Sequence, residues 1–112
     1  MTRHDDTTRL RHMLDHASEA VDMVRGRLRP DLDRDRQFRL ALTHLVEIVG
    51  EAAAHISEPF RHAHADVPWT TIVGVRNRLI HGYSQVDLGL LWDIVTIDLP
   101  PLIVKIQEIL GD

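Results

Sequence analysis

The sequence predicts an all-α fold: an antiparallel bundle of four to five helices, built by a single domain over residues 1–112. Two observations carry this prediction. Apolar residues recur at three- and four-residue spacing along most of the chain, and no stretch alternates convincingly between apolar and polar residues. A chain of 112 residues can also bury one modest core.

The first helix is predicted over about residues 7–28, with Thr7 or Thr8 as its cap. Pro30 follows and should end it, because proline lacks the N–H that a helix interior needs. Its apolar stripe contains Leu10, Met13, Leu14, Ala17, Val21, Val24 and Leu28.

A longer second helix is predicted from about Leu32 to Ser57, with Asp31 or Asp33 near its start. Gly50 lies in a run of small residues, which would let another helix approach closely. The apolar stripe of this helix contains Phe38, Leu42, Leu45, Val46, Val49, Ala52, Ala53 and Ile56.

The remaining chain divides into a connection over 58–67 and two further helices. Pro68 suits the first turn of a third helix that runs to about His81, where Gly82 could stop it. The last helix should begin near Asp87, and Pro100-Pro101 must kink or break it.

Composition excludes several classes of protein. The chain has no cysteine, which rules out disulfides, thiolate zinc sites and cysteine nucleophiles. Its N-terminus is polar throughout and its apolar runs are interrupted, so neither a signal peptide nor a membrane span is predicted. These features indicate a cytoplasmic protein.

Charge argues mildly against a general nucleic-acid binder, since the formal net charge is −4. Nine of the 13 basic residues nevertheless lie in the first 39 positions, together with eight acids. A salt-bridged, solvated surface is the favoured interpretation, and a basic patch is the alternative. Leu40, Ile48 and Ile97 lie off the main stripes and could mark a dimer surface, although isolated exposed apolar residues are also common.

Two groups of residues could carry chemistry. His12 and His16 are four apart, which is a metal-capable spacing, but no further ligands complete a site and no metal is predicted. The segment RNRLIHGY, residues 76–83, is richer. If the third helix continues through it, Asn77 and His81 share one face, and Arg76 and Tyr83 share another.

Arginine and histidine together suit metal-free attack of an RNA 2′-hydroxyl on the adjacent phosphate. The histidine would move protons and the arginine would stabilise the anionic phosphorane. The structural alternative is that Arg76 pairs with an acid such as Glu47 or Glu51 and that His81 caps its helix. Spacing alone favours this alternative, because an arginine–histidine pair is a weak motif.

The segment from Arg76 to Tyr83 resembles the R-N-x-x-x-H-x-Y signature of HEPN-domain proteins, most closely the HepT-like toxins of HEPN/minimal-nucleotidyltransferase toxin–antitoxin pairs. The similarity covers about the last two thirds of the chain. It includes the stretches Ile48–Ala52, Val67-Pro68-Trp69, Val86-Asp87-Leu88, Leu91-Trp92 and Leu99-Pro100.

This resemblance implies a dimerising helical bundle that cleaves RNA without a metal or other cofactor, as the toxin of a type VII-like pair. Arg76 and His81 match the catalytic residues, and Asn77 matches the polar residue beside the arginine. The implied partner is a minimal nucleotidyltransferase antitoxin, which silences the toxin by transferring AMP to the tyrosine matched by Tyr83. The alternative is a non-catalytic helical module that docks a nucleotidyltransferase or binds a nucleotide.

Overall fold

The long helices of the chain form an antiparallel pair at the centre of the structure. A computed structural model describes residues 3–81 and 85–112. Helix α1 (Arg3–Met23) packs along α3 (Arg36–Ala54). At one end of the pair the buried carboxylate of Asp6 accepts hydrogen bonds from the Ser57 backbone N–H (2.8 Å) and hydroxyl (2.6 Å). The N-terminal end of α1 therefore lies beside the C-terminal end of α3.

Helix α1 ends five residues earlier than predicted. The chain leaves the helix after Met23 and turns at Gly26, whose φ of 73° lies in the left-handed region that glycine adopts without steric cost. Leu28 is consequently 71% exposed, and its assignment to the apolar stripe was wrong. The stripe is otherwise confirmed, because its earlier members are buried or packed against the core.

The predicted helix from Leu32 to Ser57 is two helices. A short α2 (Asp31–Arg34) ends at Asp35, which is extended and caps α3 by accepting a hydrogen bond from the Phe38 backbone N–H (3.1 Å). That hydrogen bond and the Arg27 guanidinium lower the pKa of the Asp35 carboxyl. The cap is therefore Asp35 rather than either predicted aspartate. All eight predicted stripe positions are buried, seven of them on α3 and Ile56 just beyond its end.

The connection after α3 contains a short helix, α4 (Glu58–Ala63), capped by Ser57. The predicted third helix is interrupted and shorter. It consists of α5 (Trp69–Val73) and α6 (Val75–Leu79), and the chain then becomes extended. Strands β1 (Ile80–His81) and β2 (Gln85–Val86) pair antiparallel, with Ile80 opposite Val86. This two-stranded ribbon is a small departure from an otherwise all-α fold.

The last helical segment is interrupted, as the proline pair predicted. Helix α7 (Leu88–Asp93) is capped by Asp87, the residues Ile94–Asp98 form a π-helical turn, and α8 (Leu99–Leu110) carries both prolines in its first turn. Prolines are tolerated there because their missing N–H groups would have no partner. Helix α8 packs on α1, where Arg11 forms a two-bonded ion pair with Asp112. No helix in the described part of the chain is long and apolar enough to cross a membrane.

Candidate active site

Helix α6 carries Arg76 and is seated directly on α3 at Gly50. A Cβ atom at residue 50 would lie 2.7 Å from the Val75 Cγ1 and 3.0 Å from the Ile72 carbonyl oxygen. Real Cβ atoms do not approach this closely, so glycine is what allows the two segments to touch. The close approach that the small residues of α3 predicted is therefore present, and it fixes the backbone beside Arg76.

Arg76 forms an ion pair with Glu47 of α3. Its Nε lies 3.1 Å from the Glu47 Oε2, and the arginine side chain is 70% exposed while that of Glu47 is 28% exposed. The structural alternative named Glu47 as a partner, and that pairing is confirmed. It does not exclude a role for Arg76 on a ligand, because the bridge uses Nε, the side chain is 70% exposed, and a guanidinium has two further amino groups that can donate to a phosphate.

His81 occupies the end of β1 and does not cap a helix. Its side chain is 62% exposed, and its Nε2 lies 4.0 Å from the Asp87 Oδ2. A carboxylate at this distance can orient the ring. The alternative in which His81 caps the third helix is wrong, because that helix ends at Leu79.

The helical phasing predicted for the segment is also wrong. Asn77 is exposed on α6, but His81 lies beyond the end of that helix, so the two residues are not one helical turn apart. The predicted shared face of Arg76 and Tyr83 stays a prediction, because Tyr83 lies outside the described residues.

The remaining histidine and arginine clusters have structural partners. The His16 Nδ1 lies 2.7 Å from the His12 carbonyl oxygen, and the described residues include no group of three or more potential ligands that could hold a metal ion. Three arginines of the first segment pair with nearby aspartates, which confirms the salt-bridged interpretation for them. They are Arg25 with Asp22, Arg27 with Asp35, and Arg29 with Asp33.

The sequence alone did not show that Arg76 and His81 each lie beside a carboxylate that can orient the side chain. Glu47 was considered only as a structural partner, and Asp87 only as the start of a helix. Each instead places a carboxylate against one of the two candidate catalytic side chains. Glu47 is 29 positions from Arg76, so no local pattern could have shown that it supports the site.

The arrangement presents a planar cation and an imidazole on the same exposed segment, with a carboxylate beside each. Arg76 can bind two phosphate oxygens through its terminal amino groups. An imidazole such as that of His81 can accept or donate a proton. Both side chains are accessible without rearrangement of the core, since each is more than half exposed.

The fold and this segment define the chain as a small all-α protein with a HEPN-like bundle. It belongs to the ribonuclease HepT-like family, which matches residues 13–109.

Several curated relatives are similar over most of their length. A Caldanaerobacter subterraneus subsp. tengcongensis protein named as a candidate RNase is 33% identical over 101 residues, 90% of each chain. A Methanocaldococcus jannaschii protein, also named as a candidate RNase, is 33% identical over 102 residues, 91% of this chain and 94% of the relative. A Thermococcus cleftensis protein named as a candidate ribonuclease HepT is 31% identical over 100 residues, 86% of this chain and 91% of the relative. No solved structure gave a significant match.

Proposed function

We propose that the chain is a metal-independent endoribonuclease, with Arg76 and His81 as its catalytic residues and Asn77 as a supporting polar group. The observation that carries the proposal is the exposed Arg76–His81 pair, each member beside its own carboxylate, in a member of the ribonuclease HepT-like family. Two of the similar proteins are named as candidate RNases, which supports RNA cleavage as the reaction class.

The reaction follows from what these side chains can do. An imidazole of His81 takes the proton of the RNA 2′-hydroxyl, and the 2′-oxygen attacks the neighbouring phosphorus. Arg76 stabilises the charge that accumulates on the phosphate oxygens. The bond to the 5′-oxygen breaks, and that oxygen leaves with a proton supplied by an imidazolium. The products are a 2′,3′-cyclic phosphate and a 5′-hydroxyl.

The reaction needs two histidines, one acting as base and the other as acid. A homodimer would supply both, one from each copy of the chain. An exposed apolar side chain outside the groove lining is available for such an interface, since Ile97 is 62% exposed. In this proposal the chain is the toxin of a toxin–antitoxin pair, and its partner is a minimal nucleotidyltransferase.

The first expected result is RNA cleavage that persists when a chelator is in excess. The purified chain, incubated with a mixed-sequence RNA and EDTA, should generate fragments that end in a 2′,3′-cyclic phosphate. End-group analysis by mass spectrometry measures this directly. Intact RNA at every protein concentration, together with a stable nucleotidyltransferase complex, would instead favour the non-catalytic binding module.

Silencing by the partner is expected to require Tyr83. The nucleotidyltransferase and ATP should add AMP to the parent chain and stop its cleavage, because a bulky anionic group would repel RNA phosphate. Tyr83→Phe should cleave RNA normally and remain active after the same treatment. Intact mass and RNA cleavage are measured on the same samples. Complete silencing of the phenylalanine variant would remove Tyr83 as the modification site.

A further inference from the structure

A groove lies between α3 and the ribbon, beside the proposed catalytic residues. Its volume is about 440 Å³, within the range of about 300–1,000 Å³ typical of small-ligand sites. Helix α3 contributes Leu40, His44 and Glu47 to one wall, and Val86 and Leu88 form the other. The groove therefore has an apolar side chain from α3 on one wall and two apolar side chains on the other, and its polar lining residues all come from α3.

The groove shares one residue, Glu47, with the candidate active site. Glu47 lines it and holds Arg76 through the 3.1 Å ion pair. Val86 and Leu88, which line the opposite wall, are the chain neighbours of Asp87, whose Oδ2 lies 4.0 Å from the His81 Nε2. The groove is thus connected to Arg76 through Glu47 and to His81 through the segment 86–88.

The polar side chains of the groove are not equally available to a ligand. The Thr43 hydroxyl donates to the Arg39 carbonyl oxygen (2.7 Å), and the Arg39 guanidinium donates to the Leu32 carbonyl oxygen (2.9 Å). His44 is exposed, and it makes no hydrogen bond or ion pair with residues 3–81 or 85–112. Its imidazole can donate a hydrogen bond and can also stack on a base.

We infer that this groove binds the RNA nucleotide adjoining the scissile phosphate, with its base between the apolar walls and against the His44 ring. The inference rests on the proposed function and adds a substrate-binding site to it. A base has two apolar faces and a polar edge, which matches a lining that combines Leu40, Val86 and Leu88 with the His44 imidazole. The attached phosphate would then lie towards the cationic Arg76.

The test compares His44→Ala with His55→Ala. His55 is a second exposed histidine of the same helix region, about 16 Å further along the axis, and its Nδ1 lies 2.9 Å from the Glu51 carbonyl oxygen. Binding of a fully 2′-O-methylated RNA, which has no attacking hydroxyl, is measured by fluorescence anisotropy. Steady-state cleavage of the matching RNA gives kcat and KM.

We expect His44→Ala to raise the Kd and the KM about five- to twenty-fold and to leave kcat within about two-fold, because it removes one stacking contact. His55→Ala should change none of these values by more than about two-fold. An unchanged Kd and KM in His44→Ala, or a fall in kcat alone, would overturn the assignment of the groove.

A second pair of variants tests the groove by charge. Leu40→Glu places a carboxylate inside it, whereas Gln37→Glu adds the same charge one helical turn away on an exposed position. RNA binding should weaken several-fold more in Leu40→Glu than in Gln37→Glu, and equal weakening would contradict the inference. A parent chain that binds methylated RNA through His44 but never cleaves RNA would refute the proposed function and leave the groove assignment standing.

Discussion

Alanine at Arg76 or at His81 is expected to lower the rate of RNA cleavage by about 10²-fold or more. Loss of a general acid–base group typically costs about 10²–10⁴-fold, and loss of a group that stabilises transition-state charge about 10²–10³-fold. Single-turnover cleavage at saturating RNA measures the effect. Both side chains are largely exposed, so neither substitution should lower the free energy of unfolding by more than about 0.5 kcal/mol.

Arg78→Ala is the matched control for the arginine. Arg78 is exposed on the same helix as Arg76, and its guanidinium contacts only a backbone oxygen, that of Thr71 at 3.5 Å, among the described residues. It should retain cleavage within a few-fold. Arg76→Lys should fall between the parent and Arg76→Ala, because lysine keeps the charge but lacks the planar fork. Equal cleavage by the parent, Arg76→Ala and His81→Ala would exclude the proposed mechanism.

Gly50→Leu is expected to lower the free energy of unfolding by about 1–3 kcal/mol and to reduce cleavage. The added side chain must displace the backbone of α5, since even a Cβ at this position would lie 3.0 Å from the Ile72 carbonyl oxygen. Helix α6 follows directly, so Arg76 would move away from Glu47. Urea unfolding and RNA cleavage of the same preparations measure the two effects.

The control for overpacking is Ala54→Leu on the same helix. Ala54 is exposed, so the larger side chain has solvent around it and should change the free energy of unfolding by about 0.5 kcal/mol or less. Its cleavage should match that of the parent. If Gly50→Leu proved as stable and as active as the Ala54 variant, the close approach of α3 and α6 would not position the site.

The three- and four-residue periodicity predicted well which residues of the long helices are buried. The α3 stripe is buried at every predicted position, because its spacing alone determines which face meets the core. Helix ends were predicted less well. Asp31, Asp33 and Asp35 are equivalent as caps in sequence, and only the extended conformation at Asp35 selects among them.

In the RNRLIHGY segment, too, the sequence was informative about residue types and failed at the end of a helix. Its sequence indicated which side chains are candidates for chemistry, and its resemblance to a known signature predicted the family that the comparison then showed. Its helical phasing failed because the end of α6 depends on pairing between Ile80 and Val86, which lie on separate strands.

By itself, the sequence determined an all-α chain with a buried α3 stripe, a break at Pro100-Pro101 and a candidate pair at Arg76 and His81. Only the tertiary structure decided which carboxylates lie beside that pair and that Glu47 also lines a groove. Glu47 reaches Arg76 through the close contact at Gly50, and Asp87 reaches His81 through the ribbon. Such contacts depend on how distant segments of the chain pack together, so the spacing of residues along one helix does not predict them.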